Sequence, residues 1–187
     1  HLAVYDPRTK ELTHISTCFS THHLMFAEDE DNTLWTSGGR QVVGWLNTRM
    51  FDETGDEEAS QGWTPLVLDT NGNGVRDDYV EANDPIDPTM DKRIIAGFYA
   101  VSPASDGSVW ASSLGYPGAV VRLDPGPNPE ETALAEYYQL PLDSNGEPIE
   151  GFSPRGMDID RNGVAWVALA SGHMGSFDRR KCTSPLN

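Results

Sequence analysis

The chain has 187 residues, a length that suits one sizeable domain, and its 29 acidic against 13 basic residues give a formal charge of -16. That balance argues against a nucleic-acid backbone as partner, because phosphate binding needs a basic face. No run approaches the roughly 18 apolar residues of a membrane-spanning helix.

The composition points to turns and short strands, with 18 glycines, 13 prolines and few long polar helical runs. Two cysteines, Cys18 and Cys182, lie near opposite ends. Pairing with each other, pairing with a cysteine elsewhere, and free thiols all stay open.

Taken in chain order, the opening "HLAVYDPRT" reads as the closing strand of a repeating unit. The first strands of that unit would precede His1, so an excised piece is expected. Next comes "HLMFAEDEDNTLWTSGG" (23–39), a short strand, an acidic turn, a strand centred on Trp35 and a small-residue loop. "FYAVSPASDGSVWASSLG" (98–115) and "RGMDIDRNGVAWVALASG" (155–172) repeat that layout around Trp110 and Trp166. Asp106-Gly107 and Asn162-Gly163 are two-residue turn signals, and Asp31-Asn32 is a weaker version.

A further strand follows each tryptophan, in "QVVGWLN", "GAVVRLD" and "HMGSFD". It closes on Asn47, Asp124 and Asp178, which lie 12, 14 and 12 residues beyond the tryptophans. "AEYYQLP" (135–141) then reads as an outer strand. Units of this length, built of short strands, cannot bury their own apolar faces and must stack on neighbours.

One interval is too long. Asn47 to Asp124 is 77 residues against 41 for Asp6 to Asn47. Removing about 36 residues, roughly 52 to 87, restores the repeat, so an acidic insertion is expected over 52–90. It divides the chain into 1–51 and 91–187, the two parts of one array. Within it, "DTNGNGVRDDYVE" sets Asp69, Asn71, Asn73 and Asp77 at positions 1, 3, 5 and 9 of a calcium loop. Gly74 falls at the sharp turn and Val75 offers a carbonyl at position 7. The twelfth position is Val80, where a helix-flanked calcium loop needs a bidentate glutamate; Glu81 comes one place late, and Glu81, Asp78, Asp84 or Asp87 would complete the shell.

The units resemble those of NHL-like and streptogramin-lyase-like β-propellers, through Gly107, Val109, Trp110, Val120, Arg122 and Asp124, echoed at Trp35, Gly163, Trp166 and Asp178. The insertion resembles thrombospondin-type or dockerin-like calcium loops. The resemblance implies an all-β propeller. The count of units, the tail of one blade, two nearly complete blades and the start of another, makes it a partial β-propeller, an open set that is expected to need additional blades from another chain or a missing segment. The resemblance implies structural Ca²⁺ at Asp69, Asn71, Asn73, Val75, Asp77 and Glu81. It also implies an extracytoplasmic setting and a ligand at the axial face.

His22, His23, His173 and Arg155 are the candidates there for proton transfer or charge stabilisation, with Arg40 and Tyr116 as ligand contacts. Because His22 and His23 are adjacent, only one is expected to face the channel. Lyase-type chemistry would require a second divalent cation at that face. A non-catalytic platform for protein or glycan binding is the alternative. No G-x-S-x-G, H-E-x-x-H, P-loop or dinucleotide fingerprint occurs.

Overall fold

The structure, a computed structural model, describes residues 1–39 and 41–182. It opens with the antiparallel hairpin β1 (Leu2–Asp6) and β2 (Glu11–Ile15). A four-stranded meander follows, made of β3 (Leu24–Phe26), β4 (Thr33–Gly38), β5 (Val42–Asn47) and β6 (Gln61–Leu68). Helix α1 (Thr48–Thr54) bridges its last two strands, capped by the Asn47 side chain at one end and by Gly55, at φ 67°, at the other.

After the short β7 (Tyr79–Val80) and β8 (Asp91–Ile94) comes a second meander. It consists of β9 (Phe98–Pro103), β10 (Val109–Ser113), β11 (Ala119–Asp124), the short helix α2 (Pro129–Thr132) and β12 (Leu134–Gln139). The three-stranded β13 (Pro154–Ile159), β14 (Ala165–Leu169) and β15 (Met174–Phe177) complete the described sheets.

Strand alternation sends each tryptophan to one face of its sheet and its neighbours to the other. Trp35, Val43 and Leu66 of the first meander pack on Val109, Ala111, Val121 and Leu123 of the second. Trp110, Val120 and Tyr138, on the opposite face of the second meander, pack on Ala165, Val167, Leu169 and Phe177. Leu34 and Leu46, on the back of the first meander, meet Leu2 and Ile15 of the hairpin. The Trp35 and Trp110 faces therefore each sit on the back of the following unit. The first strands lie together, with β9 packed against both β3 and β13. Antiparallel meanders stacked face to back, with their first strands innermost, are the blades of a β-propeller. This chain is a partial one.

The turns differ from the two-residue form expected. Gly107 (φ 85°) and Gly163 (φ 74°) are left-handed, whereas Asp106 and Asn162 are not. Gly107 donates its N–H to the Ala104 carbonyl, and Gly163 does the same to Asp160. These are longer loops in which an ordinary turn is followed by a left-handed glycine. The same bond joins Asn32 to Asp29, with Asn32 at φ 49° in the glycine's place.

The long interval has a definite anatomy. Gln61–Leu68, within the stretch assigned to the insertion, is β6, the outer strand of its blade. The chain leaves the four-stranded pattern at Asp69. It returns through β8, which pairs with β6 on one side and with β7 on the other. Among the described residues no helix is long and apolar enough to cross a membrane.

Candidate functional site

Neighbouring strands of a meander run in opposite directions. The segments leading into each innermost strand therefore share one end of the propeller with the turns between second and third strands. Three blades bring side chains together there. His22 and His23 precede β3, Tyr99 lies at the start of β9, and Arg155 at the start of β13.

The backbone is fixed at each place. His23 donates its N–H to Ser37 Oγ at 3.0 Å and accepts from Ser37 N–H at 3.0 Å. Ser112, fully buried, accepts from the Ala100 N–H and donates to the Arg155 carbonyl, stitching two blades at this level.

The four side chains form one group. The His23 and Tyr99 ring centroids are 4.5 Å apart, His22 and His23 are 4.5 Å apart and perpendicular, and His22 stands 5.4 Å from Tyr99. The Arg155 guanidinium lies 5.5 Å from the Tyr99 ring centre. Both histidines reach Tyr99 because residues 21–23 are not in a strand, so alternation does not separate them. Burial, with the His22 charge adding to it, pulls the His23 pKa below the usual histidine range, which favours a neutral ring.

The other expected contacts lie elsewhere. His173 sits in the β14–β15 turn with Nδ1 at 3.1 Å from Ser171 Oγ. Tyr116, in the β10–β11 connection, donates its hydroxyl to Glu147 at 2.7 Å and lies against Phe152 at 5.6 Å. Arg40 falls outside the described residues.

The acidic loop is tightly wound. Asp69 accepts from the Gly72 N–H at 2.7 Å and the Gly74 N–H at 2.8 Å. Asn71 and Asn73 donate side-chain N–H groups to Asp77 Oδ2 at 2.9 and 2.6 Å, holding its pKa below the usual carboxylate range. Glu81 is drawn away from the loop. Its carboxylate pairs with Arg93 at 3.1 Å and its carbonyl accepts from Lys92 Nζ at 2.6 Å.

A residue absent from the expected set, Asp91 on β8, lies at the base of the loop instead. It is fully buried, and its Oδ2 accepts from the Asp77 N–H at 2.8 Å. Its Oδ1 has no hydrogen-bond partner. Burial pushes its pKa up against the pull of the Asp77 amide, and the Asp69 and Asp77 charges add to the rise. The Thr70 amide lowers it slightly without closing a bond on Oδ1. Among the described residues no three His, Cys, Asp or Glu side chains form a ready metal cluster, so an ion here would also need the asparagine and backbone oxygens.

The opposite end holds a cavity of about 880 Å³ bordered by the turns after the innermost strands, with Glu28, Asp29, Asp158 and Asp160 on its wall.

No protein-family profile matches the chain, and no curated protein sequence does. Solved structures resemble it at low identity. PorZ, a bacterial surface component of the type-IX secretion system of Porphyromonas gingivalis, is 16% identical over 83% of this chain and 18% of its own, with a TM-score of 0.49. A streptogramin B lyase is 10% identical over 94% of this chain and 61% of its own, at 0.41. The virginiamycin B lyase of Staphylococcus aureus is 10% identical over 98% and 63%, at 0.40. The chain thus spans less than two thirds of each. Likeness of that degree says nothing of activity, and the β-propeller assignment stands on the blade geometry itself.

Proposed function

We propose that this chain is part of a β-propeller binding platform whose axial mouth takes a carboxylate-bearing ligand with a planar group. The observation that carries this reading is the convergence of His22, His23, Tyr99 and Arg155 from three blades. None of the ion pairs among the described residues includes Arg155, which leaves a guanidinium fork for an anion in a strongly acidic chain. Tyr99 and the imidazoles offer flat faces for the ring.

The donor set favours binding over lyase-type chemistry. A neutral His23 suits a general base, yet a second divalent cation beside it would find two imidazoles and a guanidinium. Magnesium prefers oxygen ligands. His173 is not in the group. We also propose an extracytoplasmic setting, which would suit calcium in the 69–77 loop, since sites with few carboxylates fill at the concentrations found outside cells.

The test is an NMR titration with benzoate and, separately, acetate, following the His22 and His23 ring protons. Benzoate should move both and acetate less, and Arg155→Gln should remove the response. Unmoved histidine signals, or a response indifferent to Arg155→Gln, would refute the reading.

The same stacking rule supports further blades. Trp35 and Trp110 are 6% and 3% exposed beneath the following blade, whereas Trp166, at the equivalent place, is 46% exposed. On the hairpin, Tyr5 and Leu12 are 58% and 57% exposed on the face that in the other blades receives a tryptophan. We propose that neighbouring blades of the same pattern cover both faces in the working assembly. The Trp166 emission should shift to the blue in that assembly, and a solvent-exposed emission there would reject the proposal.

A further inference from the structure

The geometry points to Asp91, not Glu81, as the carboxylate that completes a calcium site in the 69–77 loop, fastening the loop to the seam between two blades. This inference is independent of the axial-mouth reading.

A buried carboxylate oxygen without a partner is costly, because desolvation is not returned by any hydrogen bond. Asp91 has such an oxygen, on a residue fully removed from solvent, while its other oxygen holds the Asp77 amide. Three passes of chain meet at this point. Thr70 Oγ1 donates to the Met90 carbonyl at 2.9 Å, the Asp91 N–H donates to the Asp78 carbonyl at 3.0 Å, and β7 pairs alongside β8 from Tyr79 and Asp91 onward. Three carboxylates share this stretch, since Asp91 Oδ2 holds the Asp77 amide and Asp69 accepts from the Gly72 and Gly74 amides of the same loop. The nearby Arg76 does not neutralise them, since its guanidinium donates to Thr64 Oγ1 at 2.9 Å and lies over the Tyr79 ring.

A cation at this place accounts for these features together. Asp69, Asn71, Asn73, Asp77, Asp91 and the Val75 carbonyl then supply six oxygens, within the six to eight that calcium takes. The two asparagine amides, which now aim N–H groups at Asp77, would turn their oxygens inward. Sequence spacing could not reveal the last ligand, because Asp91 lies well beyond the loop and reaches it only through the β7–β8 pairing. Glu81, one place late in the loop, is engaged by Arg93 and Lys92.

The test uses the full chain stripped with EGTA and titrated calorimetrically with calcium, in wild type, Asp91→Asn and Glu81→Gln. Asp91→Asn should weaken binding by about ten-fold or more, with Glu81→Gln near wild type. Thermal unfolding supplies the control. In EGTA Asp91→Asn should match or exceed wild type, because it removes a buried carboxylate with an unpartnered oxygen, and in millimolar calcium the order should reverse. Wild type that binds no calcium at millimolar concentration overturns the inference. So does wild-type affinity in Asp91→Asn, or loss of affinity in Glu81→Gln instead. Asp91→Asn less stable than wild type already in EGTA overturns it too, since Asp91 would then serve only the Asp77 amide.

Discussion

Replacing Trp110 and Trp166 in turn by alanine separates a covered tryptophan face from an open one. The two occupy equivalent places on β10 and β14, yet one is 3% and the other 46% exposed. Trp110 lies against Tyr138 and Phe177, with centroids 6.4 and 6.1 Å away, and its Nε1 donates to Ser108 Oγ at 3.1 Å. A tryptophan buries roughly 150–250 Å². At about 25 cal/mol per Å² that is about 4–6 kcal/mol, and measured truncations of this kind cost about 3–5 kcal/mol. Trp166 withdraws only about half of its surface from water, so its truncation should cost about half as much, about 2–3 kcal/mol. Urea unfolding followed by far-ultraviolet circular dichroism reads both values. Because domains have only about 5–15 kcal/mol in total, Trp110→Phe serves as the milder companion. Equal costs for the two alanine variants would mean that Trp166 is already covered within these residues. The tryptophan faces would then not be covered only by a following blade.

Three further outcomes follow from the packing and charges. Burial alone would raise the Glu136 pKa, but the bond from Arg179, the Tyr138 hydroxyl and the Arg122 charge outweigh it and leave it below its ordinary value of 4.5. A depressed carboxylate stabilises the fold above 4.5, and that contribution fades as pH falls through the folded pKa. The Tm advantage of wild type over Glu136→Gln should therefore shrink below pH 4.5, and a constant difference would contradict it. Gly44→Ala should destabilise by about 1–3 kcal/mol in the same urea assay, since a Cβ there would stand 2.3 Å from the Phe19 ring. A neutral result would mean that Phe19 moves freely. His22→Gln should raise the His23 pKa, read by NMR, because it removes the His22 charge while burial remains. An unchanged or lower value would break the proposed coupling.

The blades were legible because their signals are local and repeated. Each tryptophan, each turn and each closing Asn or Asp recurs at nearly fixed spacing, and the structure sets the tryptophans on β4, β10 and β14, with Asn47 and Asp124 ending β5 and β11 and Asp178 just past β15. The outer strand β6 was hidden because α1 and an acidic turn separate it from β5, which lengthens the unit beyond its siblings. Site residues were harder to read, since proximity across blades leaves no periodic trace. Tyr99 adjoins Phe98, which is buried in the core, and strand alternation was the one available clue that the tyrosine faces elsewhere. The strand rule that would separate His22 from His23 does not hold ahead of β3, where residues 21–23 belong to no strand.

The two unforeseen residues, Asp91 and Tyr99, lie close together in sequence, on β8 and β9. This raises the question of whether calcium would order the axial mouth as well as the loop. The hydrogen bonds argue that it would not. Tyr99 is carried by β9, whose Ala100 N–H is held by the buried Ser112 hydroxyl, and Ser112 in turn holds Arg155. β9 is thus anchored from β10 and β13, whereas Asp91 is anchored from β7 and the loop. Ile95 and Gly97 between them belong to no strand, so a disturbance at Asp91 can be absorbed there. Adding calcium to EGTA-treated protein should therefore leave the His22 and His23 ring-proton shifts in place while raising Tm. Movement of those signals at calcium saturation would show that the loop acts on the axial group, and the role assigned to the ion would change from fastening to regulation.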